Sequence, residues 1–274
     1  MKRFVIILFV ILAVGTVLGG NLVIKGSNTV YPAVQVWAEE FKARNPQVEI
    51  SIEGAGSSTG IAALFNRQAD IAMSSRWLKE SEIEQMNAQG RYFIPFVVGY
   101  DGIAIVVNKS LDIDNISLEL LRDIYSGKIT TWNQVDSDLP NRRIAMFSRD
   151  NASGTFEVFV DIVMQGGRLA PQVQQLASTT AEVEQVRQNP SGIGYIGMGY
   201  ITEDIKAISV EGVKPTTENV NSGLYPISRP LYIFVDATDG FPKGVVDQFI
   251  RLALSPQGQS MLLTIGYVNA YGMN

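Results

Sequence analysis

The chain has 274 residues, 46% of them hydrophobic and 18% charged, a composition typical of globular proteins with one large or two modest domains. Its formal net charge of −5 argues against a nucleic-acid-binding protein, because such proteins normally carry an excess of basic residues. Histidine and cysteine are absent, which excludes disulfides, the usual zinc ligands, cysteine nucleophiles and triads that use histidine. Enzymes built on carboxylates or lysine are not excluded, but the composition disfavours catalysis.

Residues 1–20 have the pattern of a secretory signal peptide. Lys2 and Arg3 precede an apolar run from residue 4 to residue 18, and Gly19 and Gly20 supply small residues for cleavage. The run is shorter than the roughly 20 apolar residues of a transmembrane helix, although an uncleaved anchor is the alternative. We expect a mature soluble chain from about residue 20 or 21, acting outside the cytoplasmic membrane, periplasmic or extracytoplasmic, with no lipid-modified cysteine.

The mature chain alternates predicted strands and helices. The first strands are expected at residues 22–25, 48–53 and 70–76, with helices between them. Two apolar runs, 93–98 and 103–107, are separated by Gly99-Tyr100-Asp101-Gly102, which predicts two strands with a bend or a crossing between domains. Later strands are expected at 144–147, 193–196 and 231–235, and Thr179 with Glu182 is expected to cap a short helix. This alternation predicts an α/β protein with a mostly parallel sheet.

Three turns rich in Ser, Thr and Gly lie between a predicted strand and a predicted helix, at residues 26–32, 54–60 and 148–157. Open α/β sheets bind ligands at the carboxyl ends of their strands, where helix N-termini offer free N–H groups to an anion. Arg149 and Arg76 add positive charge to two of these strand ends. The sequence therefore predicts a site for a small oxyanion, whereas the alternative is that the hydroxyls only cap helices and that the arginines are surface charges.

Six short motifs, in this order, resemble the phosphate-binding proteins of bacterial and archaeal phosphate ABC transporters. The motifs are Gly26-Ser27-Asn28-Thr29-Val30, Gly56-Ser57-Ser58-Thr59-Gly60, Ser74-Ser75-Arg76, Arg149-Asp150-Asn151-Ala152-Ser153-Gly154-Thr155, Gly192-Ile193-Gly194-Tyr195 and Ser222-Gly223-Leu224-Tyr225-Pro226-Ile227-Ser228-Arg229-Pro230-Leu231. The resemblance implies a two-lobed type II periplasmic-binding-protein fold, in which each lobe is a mostly parallel sheet flanked by helices and two crossover segments form a hinge. Residues 21–97 and 230–274 would form lobe I, and residues 98–229 would form lobe II.

The resemblance also implies which residues bind phosphate. Those carried over by motif are Thr29, the N–H of Val30, Ser57, Ser75, Arg149, Ser153, the N–H of Gly154 and Thr155. Ser27, Ser58, Arg76 and Asp101 are further candidates. No catalytic residue, metal ligand or cofactor is expected.

Two positions depart from the family pattern. Many members carry an aspartate where Ser75 stands, and that aspartate accepts the proton of hydrogen phosphate, which sulfate lacks. A buried acceptor left unpaired against a fully ionised anion costs about 1–3 kcal/mol. Here the acceptor could be Asp101, a serine lone pair or a backbone carbonyl; we favour Asp101, whose alternative role is that of a turn residue. Two residues after Arg149, an asparagine replaces a frequent aspartate, so an ion pair orienting Arg149 would fall to Asp150 or Glu157.

We therefore expect an extracytoplasmic, monomeric receptor that closes two lobes around inorganic phosphate and delivers it to a membrane permease energised by a cytoplasmic ATPase. The alternatives are a receptor for another oxyanion such as sulfate or molybdate, a secreted phosphatase, or a surface adhesion protein that keeps the fold.

Overall fold

A computed structural model of the chain describes residues 20–272. The predicted signal peptide therefore lies outside the described residues, except for Gly20, whose carbonyl accepts a 3.1 Å hydrogen bond from the N–H of Glu49. Within the described part of the chain, no helix has the length and apolar character needed to cross a membrane.

Ten strands and nine α-helices are formed between residues 20 and 272. The strands are β1 (Asn21–Gly26), β2 (Glu49–Gly54), β3 (Ile71–Ser74), β4 (Phe93–Asn108), β5 (Asn115–Ile116), β6 (Ala145–Arg149), β7 (Gln174–Leu176), β8 (Gly192–Gly197), β9 (Ile205–Val210) and β10 (Ser228–Asp236). The helices are α1 (Tyr31–Arg44), α2 (Ser57–Phe65), α3 (Glu80–Ala88), α4 (Leu118–Tyr125), α5 (Gly154–Ile162), α6 (Thr179–Gln188), α7 (Thr217–Asn221), α8 (Val245–Leu254) and α9 (Pro256–Thr264).

The strands form one continuous sheet in the order β2-β1-β3-β10-β4-β8-β6-β7, with β9 pairing with β4, and β5 with β9. The strands β1, β2 and β3 pair in parallel at one end of the sheet, and β6, β7 and β8 pair in parallel at the other. The antiparallel pair of β4 and β10 joins these two ends. The predicted α/β class with a mostly parallel sheet flanked by helices is confirmed.

The prediction of two strands at residues 93–98 and 103–107 was wrong, because β4 is a single strand of 16 residues. Residues 99–102 stay extended because β10 pairs with them, with Arg229 directly opposite Asp101. The register shifts between Leu231 and Tyr232, so the predicted bend is a local irregularity in a continuous ladder. β4 pairs with β10 through its first part and with β8 and β9 through its second part.

The buried apolar residues form separate clusters toward the two ends of this strand pair. One cluster draws on residues 103–227 together with Val268 and is built around Trp132. A second draws on residues 22–73 and 231–267 together with Val98 and is built around Trp37, and a smaller third one lies between residues 61 and 234. The indole N–H of Trp37 donates to the carbonyl of Gly258 at 2.8 Å and that of Trp132 to the carbonyl of Ser191 at 3.0 Å, so both rings are buried without an orphaned donor.

The turns that precede α2 and α5 are in contact, although they follow β2 and β6, which lie far apart in the strand order of the sheet. Gly56 adopts a φ of 102°, which favours glycine, and a Cβ at this position would lie only 2.5 Å from the carbonyl oxygen of Ala152. That carbonyl accepts a 3.1 Å hydrogen bond from the N–H of Ser58. The N-termini of α2 and α5 are thereby held close together.

Candidate anion-binding site

The three predicted turns converge on one buried point. The hydroxyl oxygens of Thr29 and Thr155 lie 2.9 Å apart, although the two residues are 126 positions apart in the sequence. Ser57 Oγ accepts the N–H of Ser75 at 3.1 Å and lies 3.4 Å from its hydroxyl. A Cβ on Gly154 would lie 2.5 Å from Ser57 Oγ and 2.7 Å from Ser75 Oγ. Five of the predicted site residues are therefore in contact, and all five are buried.

Ser153 begins α5 in a way that leaves its hydroxyl hydrogen free. Its Oγ accepts the N–H groups of Thr155 at 3.2 Å and Phe156 at 3.3 Å, so the helix-cap role considered from the sequence is present. Because a hydroxyl oxygen has two lone pairs, this Oγ can only donate to a further partner. At the start of α1, Ser27 Oγ accepts the N–H of Val30 at 3.4 Å, so Ser27 faces its own turn.

Arg149 is 1% exposed and is held by neutral oxygen atoms. Its guanidinium donates to the carbonyl of Leu176 at 3.1 Å, the carbonyl of Ala177 at 2.8 Å and the hydroxyl of Thr179 at 2.9 Å. The predicted ion pair with Asp150 or Glu157 does not form: the Asp150 carboxylate accepts a backbone N–H of its own turn. These neutral acceptors orient the guanidinium but do not compensate its charge. The charge therefore stays available to attract an anion.

The prediction that Thr179 and Glu182 cap a helix was wrong. The cap of α6 is Ser178, whose Oγ accepts a backbone N–H of the first turn, and Thr179 instead binds Arg149. Glu182 is fully buried and accepts the N–H of Tyr195 at 2.9 Å. Burial raises the pKa of Glu182 to about 8, so its carboxyl is largely neutral at pH 7 and does not cancel the nearby charge of Arg149.

Arg76 and Ser58 lie in an ion-pair network beside the converging turns. The Arg76 guanidinium contacts the carboxylates of Glu82 and Glu157, each at 2.7 Å, and donates to Ser58 Oγ at 2.9 Å. Lys79 also pairs with Glu157, at 2.9 Å. The charge of Arg76 is therefore compensated by two carboxylates, and this network ties α5 to the segments around α2 and α3.

Asp101 contacts the site through Arg229, a residue that was not among the predicted site residues. The Asp101 carboxylate is fully buried; it accepts from the Arg229 guanidinium at 3.0 Å and from the N–H of Met198 at 2.9 Å. Arg229 in turn donates to Thr29 Oγ1 at 3.2 Å. The available signal was the Arg229-Pro230 pair in the last matched motif, just before a strong apolar strand.

The assembled groups are suited to a tetrahedral oxyanion. They are hydroxyls, backbone N–H groups at helix N-termini and a buried guanidinium, and all of them can donate to an anion. Between residues 20 and 272, no group of three or more acidic side chains is arranged to hold a metal ion.

Residues 14–257 match the family model described as the PBP superfamily domain. The chain is 32% identical over 267 residues to the phosphate-binding protein PstS of Pseudomonas aeruginosa, which covers 91% of this chain and 83% of that protein. The chain belongs to the PBP superfamily and, within it, to the family of the PstS phosphate-binding proteins. This confirms the resemblance found in the sequence motifs.

Two further similarities support the assignment. The chain is 30% identical to PstS of Staphylococcus saprophyticus, over 86% of this chain and 76% of that protein. Its fold matches a crystal structure of a putative phosphate ABC transporter substrate-binding protein with bound phosphate from Clostridium perfringens. The TM-score is 0.84 and the identity 31%, over 91% of this chain and 99% of that one. The predicted periplasmic-binding-protein fold is confirmed.

The buried carboxyl of Glu182 makes stability depend on pH. Its pKa rises from 4.5 to about 8 on folding, so the stabilisation by its bound proton is fully present below pH 4.5 and is lost as the pH rises through 8. Glu182→Gln should therefore match the wild type near pH 4.5 and become progressively more stable than it up to about pH 8. Urea unfolding at a series of pH values measures this difference.

The matched control is Glu184→Gln, on the same helix, because Glu184 is solvent-accessible and its ion pair with Arg187 lowers its pKa. The control should not show a stability gain that grows from pH 4.5 to pH 8. A constant difference between Glu182→Gln and the wild type across this range would contradict the buried neutral carboxyl.

Proposed function

We propose that this protein is an extracytoplasmic receptor that binds inorganic phosphate and delivers it to the permease of an ABC transporter. The observation that carries the proposal is the convergence of hydroxyl and N–H donors from three strand-to-helix turns, one of which follows Arg149 directly. Within residues 20–272, no carboxylate forms an ion pair with the Arg149 guanidinium. The names of the relatives and the phosphate bound in the Clostridium perfringens structure identify the anion. The donor set itself would accept any small tetrahedral oxyanion.

In this proposal the phosphate oxygens are bound by the residues that the motifs indicate. These are Thr29, the N–H of Val30, Ser57, Ser75, Arg149, Ser153, the N–H of Gly154 and Thr155. Ser27, Ser58, Arg76 and Asp101 support them indirectly, because each is engaged with a neighbouring protein group. Ser75 has a hydroxyl where many family members have a carboxylate. Such a carboxylate would disfavour sulfate, which has no proton for it to accept, so a receptor for sulfate or molybdate is the second candidate function.

We further propose that residues 21–97 and 230–274 form one lobe, that residues 98–229 form the other, and that the lobes part by bending at β4 and β10. The separate apolar clusters toward the two ends of this strand pair support the division. The contacts of Ala152 with Ser58 and of Glu157 with Arg76 would join the lobes in the closed form and break on opening. Phosphate would then be released to the permease by hinge opening.

We propose binding without catalysis, since the named relatives are binding proteins and the grouped side chains are donors to an anion. The protein would act as a monomer in the periplasm or elsewhere outside the cytoplasmic membrane. The export pattern of residues 1–20 supports this location. A cytoplasmic ATPase would drive the permease. Turnover of a phosphate ester by the purified protein would instead support the alternative of a secreted phosphatase.

Replacement of Arg149 tests the site. Arg149→Met keeps an unbranched side chain in the buried space but removes the guanidinium and its charge, so phosphate affinity should fall by well over tenfold. Isothermal titration calorimetry with inorganic phosphate measures the change. Arg143→Met, an exposed position near the start of the same strand, is the matched control and should bind like the wild type. Equal affinity of the two variants would refute the role of Arg149.

A methyl group at Gly154 tests lobe closure. In Gly154→Ala the added Cβ would meet Ser57 Oγ and Ser75 Oγ at less than 3 Å, so the turns could not approach as closely. Alanine is favourable in the first turn of a helix such as α5. If the turns can separate in the absence of phosphate, the variant should therefore have the unfolding temperature of the wild type in phosphate-free buffer. We expect phosphate affinity to fall about tenfold or more. Unchanged affinity by calorimetry would show that the turns do not close on the anion.

A further inference from the structure

The two long central strands carry a buried ion pair beside the anion site. Asp101 of β4 and Arg229 of β10 stand directly opposite each other in the ladder, and the two residues are 0% and 4% exposed. Besides the arginine, the Asp101 carboxylate accepts the N–H of Met198, so both of its oxygens are engaged. Asp101 is therefore already committed to groups of the protein itself.

Arg229 extends this pair to Thr29. One guanidinium nitrogen lies 3.0 Å from the Asp101 carboxylate and 3.2 Å from Thr29 Oγ1. An arginine has five N–H donors and no acceptor, so Thr29 Oγ1 must be the acceptor in this contact. The single hydrogen of the threonine hydroxyl is then free to point elsewhere, and Thr155 Oγ1 lies 2.9 Å away in the converging turns.

The surroundings of the Arg229 guanidinium favour the same orientation of the Thr29 hydroxyl. Its two other nitrogens, Nε and Nη1, are buried and have no hydrogen-bond partner within residues 20–272. Buried donors without partners create a locally positive environment, in which an anion, or a hydroxyl that presents its oxygen to the arginine, is favoured. A Thr29 hydroxyl turned the other way would bring its hydrogen against these donors.

We propose that Asp101 and Arg229 are positioning residues that fix the Thr29 hydroxyl as a hydrogen-bond donor to the bound anion. The inference rests on the proposed phosphate site. It gives Asp101 a different role from that of proton acceptor: the carboxylate holds Arg229, and Arg229 holds Thr29. Because the pair joins β4 to β10, bending of these strands would also disturb the donor that Thr29 presents.

The test replaces both charges together, because removing one would leave the other buried and uncompensated. In Asp101→Asn combined with Arg229→Gln, phosphate affinity should fall about tenfold by calorimetry. The matched control is Asp236→Asn combined with Arg91→Gln, which neutralises the ion pair at the other end of β10. That control should bind phosphate within about twofold of the wild type.

A double-mutant cycle with Thr29→Val separates positioning from a general loss of structure. In the wild-type background Thr29→Val should weaken phosphate binding about tenfold, and in the neutralised-pair background the further loss should be at most about twofold. A merely structural role of the pair would leave the two effects additive. Additive losses, or unchanged affinity of the neutralised pair, would overturn the inference.

If the wild type and the Arg91–Asp236 control both fail to bind phosphate, the proposed function fails rather than the role of the pair. If the neutralised pair does not fold, Arg229→Lys keeps a cation opposite Asp101 and enters the same cycle. Its shorter side chain should hold Thr29 less well, so non-additive losses with Thr29→Val are again expected, and additive losses again contradict the proposal.

Discussion

The site depends on a buried guanidinium whose direct partners, among the described residues 20–272, are neutral. Arg149 is almost completely removed from water, and its hydrogen-bond acceptors include two carbonyls and a hydroxyl. Burial of a charge without a counter-ion is unfavourable, and the cost falls when an anion arrives with matching acceptors. The adjacent Glu182 does not remove this demand, because its raised pKa keeps it largely neutral at pH 7. An oxyanion bound between the turns therefore supplies what the folded chain lacks.

The same electrostatic logic extends to the strands that join the two ends of the sheet. Arg229 is also buried, but Asp101 compensates its charge, so the pair can orient Thr29 without adding a second free cation to the site. Near the converging turns, Arg76 and Lys79 are likewise compensated by Glu157 and Glu82. Of the cations that the structure describes near the proposed anion, Arg149 has no carboxylate partner and can bind the anion. Arg76, Lys79 and Arg229 are paired with carboxylates and organise the structure around it.

The sequence predicted the parts of the site that depend on local patterns. Strand, Ser/Thr turn and helix follow one another directly around Arg149 and Thr29, so periodicity and capping rules could place them at one edge of a sheet. The continuity of β4 could not be predicted in this way, because residues 99–102 stay extended through pairing with β10 and with Val268, all more than 120 positions away. Arg229 was missed for the same reason: its partners Asp101 and Thr29 are 128 and 200 positions away. Glu182 has the spacing of a capping residue, and only its tertiary contact with Tyr195 shows that it is buried.

The central claim is that the folded protein binds phosphate at this buried site, and ligand-dependent thermal unfolding of the purified protein tests it most directly. A ligand that binds only the folded state stabilises it by about 2.7 kcal/mol at a concentration 100 times its dissociation constant. We predict that the unfolding temperature rises steadily with the logarithm of the phosphate concentration, and that chloride at equal ionic strength gives no such rise. No shift with millimolar phosphate, or the same shift with chloride, would contradict the account.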